Sequence, residues 1–285
     1  MQHSRASETA VRAAAMRAAH QLVDADPKIL VDPVAVTLIR KADDNALNVA
    51  LATHEEPRIR HLRANFVLRN RVAEDRLEEA ARRGVSQYLI LGAGLDTFGY
   101  RQPVWSRGLK VIEVDHPVSQ KLKIETLESV RITPPENVSF LSVDFTFDTI
   151  HKWLSEAPID PAEAIFVSWL GVTQYLAHES ISSTLRAIAS RRGSSEIVLT
   201  YIANNWLSLP PDEATAMRMT EMRAPEWGEP WISKFSERSI EDLLATSGFT
   251  HVVHVTITSA KERYFNGRSD GLQPSAGTGI VYART

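Results

Sequence analysis

The sequence contains no cysteine. That removes disulfides, thiolate zinc sites and a cysteine nucleophile in one step, and it is the composition expected of a chain working in a reducing cytoplasm. An excess of one charge is missing too. The 32 lysines and arginines stand against 35 aspartates and glutamates, a net charge of −3, whereas a nucleic-acid binder carries a basic surplus. No run of about 18 apolar residues occurs anywhere, and the opening segment MQHSRASETAVRAAAMRAAH has no signal-peptide core. Neither a nucleic-acid partner nor a membrane is therefore expected. The G-x-S-x-G elbow, the H-E-x-x-H pair and the Walker A lysine loop are all absent. Nine histidines are scattered without ligand spacing, so no metal site is expected.

What is present has a globular composition, 44% hydrophobic and 24% charged over 285 residues, and is read as one α/β domain with lid elements. Glu8 to Val23 reads as a helix. Asp32-Pro33 breaks the chain, and a short helix follows through Val36–Ile39. A long helix rich in arginine runs from Glu55 to Arg83 and is stopped by Gly84. These elements make an N-terminal helical cap over about residues 1–60 and the helix leading into the sheet. Five apolar runs then read as buried strands: QYLIL (87–91), KVIEV (110–114), VSFLSV (138–143), AIFVSW (164–169) and EIVLTY (196–201). Helical stretches at about 117–130, 148–156 and 178–191 separate them. This alternation implies right-handed crossovers and a parallel sheet.

After Tyr201 the pattern changes. Residues 203–235 hold Pro210, Pro211, Pro225 and Pro230 together with Trp206, Trp227 and Trp231, and read as a lid. A helix near 236–247, a strand near 251–257 and a last strand GIVYA (279–283) follow. They complete a doubly wound, seven-stranded sheet whose terminal hairpin contributes one antiparallel strand.

Four features carry chemistry. LGAGLDT (91–97) directly follows the first strand, where glycines let the backbone turn sharply and approach a ligand. A dinucleotide fingerprint needs a third glycine, and Thr97 occupies that position. VIEVDHP places Glu113 and Asp115 on one face at the end of the second strand, about 20 residues on, where an acid accepts the two hydroxyls of a ribose. Spacing does not choose between them, and His116 beside them reads as a polar packing residue. VDF (143–145) ends the third strand, with Asp144 suited either to an adenine amino group or to a helix N-cap. Arg69 falls within the apolar stripe formed by Leu62, Phe66, Ala73, Leu77 and Ala80, while Arg71 falls opposite. An inward arginine needs an anion: an amino-acid carboxylate held by two hydrogen bonds, or an internal acid. Arg71, Arg76, Arg82 and Arg83 alternate with Glu74, Asp75, Glu78 and Glu79, the pattern of a solvated helix with charge pairs.

The segments RNRVAED (69–75), LILGAGLDTFGYR (89–101), VIEVDHP (111–117), VDF (143–145) and WLGVTQYL (169–176) resemble, in that order, the leucine carboxyl methyltransferase family, and within it the bacterial S-adenosyl-L-methionine-dependent branch. The resemblance covers about residues 10–205. It implies a class I, Rossmann-like methyltransferase fold and S-adenosyl-L-methionine as cofactor. Arg69 would bind the methionine carboxylate, Gly92 and Gly94 would form the wall beneath the methionine, Asp115 would hold the ribose, and Asp144 with Phe145 the adenine. Leu170 departs from the family, which commonly has a glutamate there. The likeness fades after Tyr201, where the acceptor would be recognised, so the acceptor is expected only as a small molecule.

Methyl transfer needs the nucleophile and the methyl carbon in line and water excluded. A carboxylate needs no base, a hydroxyl does, and no base stands out in the sequence. That favours a carboxylate or an acidic hydroxyl. Trp206, Trp227 and Trp231 are expected to enclose an apolar or aromatic acceptor or to pack the lid. Tyr175 and Tyr201 are the candidates nearest the reaction centre. An S-adenosyl-L-methionine-binding protein without transferase activity and an NAD-dependent oxidoreductase remain as alternatives.

Overall fold

The computed structural model describes residues 7–144, 154 and 157–285. The expected helix at 148–156 lies almost wholly outside them. The sheet has seven strands: β1 (Gln87–Leu91), β2 (Lys110–Asp115), β3 (Val138–Ser142), β4 (Ile165–Trp169), β5 (Ser195–Ile202), β6 (His251–His254) and β7 (Thr278–Arg284). Their spatial order is β3-β2-β1-β4-β5-β7-β6. β1 pairs in parallel with β2 and β4, and β7 alone runs antiparallel, between β5 and β6. The expected terminal hairpin is this pair.

β1 and β4 are buried at every position, which is why they read as continuous apolar runs rather than alternating ones. Alternate side chains serve opposite faces. Tyr88, Ile90, Val111 and Phe166 pack with Val67, Val72 and Leu77 of α3 (Pro57–Arg82). Leu89, Leu91, Ile112 and Val167 pack on the other side with Ile181 and Leu185 of α5 (His178–Ala189) and with Ile240 and Leu244 of α7 (Glu237–Ser247). Between β2 and β3 runs α4 (Pro117–Ser129). The chain leaves β1 toward β2 on one side and returns to β4 on the other. This reversal opens a crevice beyond the carboxyl ends of β1 and β4, where open α/β sheets bind ligands.

The helical cap over that crevice is α1 (Glu8–Val23) and α2 (Pro33–Ala52), packed through Val11, Ala14, Ala15, Leu38, Ile39 and Leu47. Ser7 caps α1, and Asp32 caps α2 with Pro33 in the first turn. α2 is far longer than the short helix expected around Val36–Ile39. Asp43 leaves helical geometry (φ −161°, ψ 86°), and its carboxylate accepts from the backbone N–H of Ala46 at 2.9 Å. The residue that hid the continuation is the cap that restarts it.

The lid likewise contains a helix the sequence reading passed over. α6 (Pro211–Arg223) begins at the Pro210-Pro211 pair, because proline suits a first turn that has no N–H partners to lose. The strand expected to reach residue 257 stops at His254, since Thr256 caps a helical turn by accepting from Ser259 N–H at 3.1 Å. Among the described residues no helix is long and apolar enough to cross a membrane.

Candidate functional site

The glycine loop closes the crevice from below. Gly92 and Ala93 donate to the carbonyl of Val114, at 2.8 and 3.1 Å, and tie the loop to β2. Gly92 (φ +67°) and Gly94 (φ +47°) take left-handed conformations that favour glycine. A Cβ on Gly92 would collide with the Val172 side chain, and one on Gly94 would stand 3.0 Å from the Ala10 methyl. Thr97, where a dinucleotide fold has its third glycine, is buried and donates to Asp32 at 2.7 Å.

Asp115 and Glu113, equivalent by spacing, have different fates. Glu113 is sealed in the interior, with Lys123 Nζ 2.5 Å and Tyr100 OH 3.2 Å from its carboxylate. Asp115 faces the crevice and accepts from the backbone N–H groups of Gly94 and His116. Burial pushes its carboxyl above the usual aspartate range, and those two donors offset this only in part. His116 also borders the crevice. It caps α4 through Nδ1 and lies 3.3 Å from Asp144 through Nε2.

Together these groups surround a cavity of about 200 Å³ whose walls include Arg69, Gly92, Gly94, Asp115, Asp144 and Tyr175. Phe145 lies outside the described residues. Arg69 reaches the cavity as its position on α3 implied, and its guanidinium sits 4.5 Å over the Phe66 ring. Among the described residues it makes no ion pair, and its buried Nε has no hydrogen-bond partner. Burial, with Arg17 nearby, pushes its pKa down to about 10. Gly171 (φ +76°) makes room for it, because a Cβ there would stand 2.5 Å from Arg69 Nη1. Of the other α3 charges, Arg76–Glu79 at 2.9 Å is an expected surface pair, whereas Arg71 at 2.7 Å meets an Asp75 that is itself buried and also accepts from Arg263 and Tyr264. Arg83 instead reaches Glu196 at 2.6 Å, and Glu74 pairs with Arg101.

A second cavity of about 120 Å³ shares Thr9, Arg69, Gly171 and Tyr175 with the first. Phe66, Met217, Trp227 and Trp231 supply much of its remaining wall. Trp206 is not part of that wall and supports it from behind, with its ring 6.1 Å from that of Trp231. Tyr201 borders neither cavity. Its ring packs over Gly279 and edge-on to Phe235 at 6.3 Å, so the candidate role near the reaction centre is withdrawn for it and kept for Tyr175.

Sequence reasoning missed Glu229. It projects from the lid into the first cavity, where Ser7 Oγ donates to it and Thr9 donates through both N (3.1 Å) and Oγ1 (2.5 Å). Tyr175 OH donates in turn to Thr9 Oγ1 at 2.9 Å. No local pattern marks this glutamate, since its partners lie more than 200 residues away in the chain. Leu170, in place of the family acid, lines the same cavity. Among the described residues no group of three histidines or acids is arranged to hold a metal.

A family model described as leucine carboxyl methyltransferase matches residues 10–189. The chain belongs to the leucine carboxyl methyltransferase family. Like other chains similar to this family member, YktD of Bacillus subtilis is provisionally named an S-adenosyl-L-methionine-dependent methyltransferase. It is 34% identical over 190 residues, 66% of this chain and 62% of YktD. The match thus spans less than two thirds of YktD. A Mycobacterium tuberculosis protein named in the same terms is 29% identical over 278 residues, 93% of this chain and 76% of that one. Among solved structures, a Thermobifida fusca protein titled a methyltransferase superposes with a TM-score of 0.61 at 16% identity, covering 99% and 96% of the two chains. A Streptomyces avermitilis DUF574 family protein gives 0.57 at 13% identity, covering 98% of each. At such identities the structures speak for the fold, which is class I and Rossmann-like.

Proposed function

We propose that this family member is an S-adenosyl-L-methionine-dependent O-methyltransferase acting on a carboxylate or hydroxyl of a small molecule. The observation that carries the reading is Arg69, a guanidinium with no ion pair among the described residues, on the wall of a cavity that also presents Asp115 and the glycine loop. A buried cation without an anion is costly, and a ligand carboxylate removes the penalty. The orphaned Arg69 Nε, the side-chain-free cradle at Gly92 and Gly94, and the acceptor oxygens of Asp115 fit the cofactor's amino-acid and ribose parts. Arg69 would hold the carboxylate, Asp115 the ribose, and Asp144 with Phe145 the adenine. The bound cofactor supplies an electrophilic methyl group.

The chain's own residues do the rest. The wall shared by the two cavities, Thr9, Arg69, Gly171 and Tyr175, is where an acceptor oxygen meets the cofactor side. A carboxylate needs only to be held there. A hydroxyl must lose a proton, and the chain Tyr175 OH to Thr9 Oγ1 to Glu229 offers a path: each hydroxyl accepts one proton and passes on its own, ending on the carboxylate. This path gives the hydroxyl an equal claim, which the motifs alone withheld. Calorimetry with S-adenosylhomocysteine, S-adenosyl-L-methionine and NAD tests the reading. Both adenosyl-amino-acid ligands should bind one to one and NAD should not. Folded protein that binds NAD and neither of the others would overturn it.

A further inference from the structure

The second cavity has a charge imbalance that the cofactor does not address. Its lining includes Arg12 and Arg69 but, among the described residues, no aspartate or glutamate. Arg69 is accounted for by the reading above; Arg12 is not. Arg12 projects from α1 with its guanidinium 4.3 Å over the Trp227 ring, and it makes no ion pair among the described residues. Burial lowers its pKa, and Arg58 and Arg223 repel it more than Glu8 and Tyr175 compensate. Among the described residues the lining therefore carries two arginines and no acid, beside the rings of Phe66, Trp227 and Trp231. A guanidinium seated over an indole face can still offer its N–H groups to an anion.

We propose that Arg12, seated over the Trp227 ring, is the anion-recognition site for the acceptor, which is an aromatic or apolar small molecule carrying an anionic group besides the oxygen that is methylated. Arg12 borders only the second cavity, whereas Thr9, one helical turn before it, borders both. Neighbours at that spacing stand roughly 5–6 Å apart, about the span of one ring. The anion at Arg12 and the reacting oxygen at the shared wall thus belong to opposite ends of the acceptor. Phe66, Trp227 and Trp231 take the ring between them. Charge then selects the acceptor and sets its direction.

The inference rests on the methyltransferase reading for the identity of the reacting end, so the two are tested apart. The full chain, saturated with S-adenosylhomocysteine, is titrated by calorimetry with 3-hydroxybenzoate and 4-hydroxyphenylacetate, and with the neutral amide of each. The acids should bind at least about tenfold more tightly than their amides, the scale of a charge-assisted contact. Arg12→Gln should bring each acid down to the level of its amide and leave the amides unchanged, with S-adenosylhomocysteine binding as the check on folding. Acids and amides of equal affinity in the wild type would overturn the proposal without any variant, as would failure of both acids to bind at millimolar concentration. If S-adenosylhomocysteine itself does not bind, the methyltransferase reading fails, and the acid–amide comparison on the protein alone still decides the role of Arg12.

Discussion

Arg63 and Arg69 stand less than two turns apart on one helix, and their surroundings are opposite. Arg63, in the cap region, is buried and donates from Nε (2.8 Å) and Nη2 (2.7 Å) to Asp24, whose carboxylate also meets His20 Nδ1 at 2.7 Å. Arg17 and Arg101 share Asp32, and Arg101 also grips Glu74. Every arginine of this network has its anion. At the cavities, Arg69 and Arg12 have none among the described residues. The paired set joins α1, α2, α3 and the glycine loop into one frame; the unpaired set leaves its charge for something outside the chain. A buried charge completed by the protein serves the fold, and one left incomplete serves a ligand.

The sharpest way to break this comparison is to exchange each arginine for methionine, which keeps most of the volume. Arg63→Met leaves Asp24 buried beside His20 without its main partner. It should lower unfolding stability by about 3–5 kcal/mol, the scale for removing half of a buried pair, as read by urea denaturation. A loss below about 1 kcal/mol would show that the cap does not depend on this pair. Arg69→Met should do the reverse. Its stability should equal or exceed that of the wild type, since no partner is orphaned, while affinity for S-adenosylhomocysteine should fall on the order of 10- to 100-fold, the loss of a charged hydrogen bond. An Arg69→Met protein that unfolds as easily as Arg63→Met and still binds the ligand would erase the distinction.

The sequence disclosed one side of this contrast better than the other. Strands buried on both faces advertise themselves as apolar runs, so the sheet and its order of elements were legible from β1 to β7. Arg69 was legible as well, because helical geometry alone places it among Phe66, Ala73 and Leu77. Spacing did not choose Asp115 over Glu113; only the family resemblance did, because the difference between them depends on Lys123, ten residues away, turning inward from α4. Glu229 and Arg12 were out of reach for the same reason. A glutamate in a Gly-Glu-Pro stretch and an arginine in an alanine-rich helix acquire meaning only when the lid and α1 meet, through contacts such as Glu229 to Thr9 and Arg12 to Trp227. Local periodicity reports what a residue faces. It does not report which distant residue faces it in return.

The smallest effect probes Asp115, one of the acids of the first cavity. Asp115 has its carboxyl pKa raised, chiefly by burial, so it takes up a proton at a pH above the ordinary aspartate value of about 3.9. A raised folded-state pKa means the ionised form is disfavoured by folding, and any stability tied to protonation is present at low pH and lost as pH rises through that value. Ligand binding runs the other way. A carboxylate accepts from ribose hydroxyls and from the Gly94 and His116 N–H groups together, whereas a carboxylic acid has one acceptor position fewer. Affinity for S-adenosylhomocysteine should therefore weaken by a few-fold, on the order of 1 kcal/mol or less, as pH falls from 7.5 toward 5. The ligand's own carboxylate and amine do not titrate in that window. Asp115→Asn should bind more weakly throughout and show no such slope. If the slope persists in the variant, Asp115 is not the group that titrates.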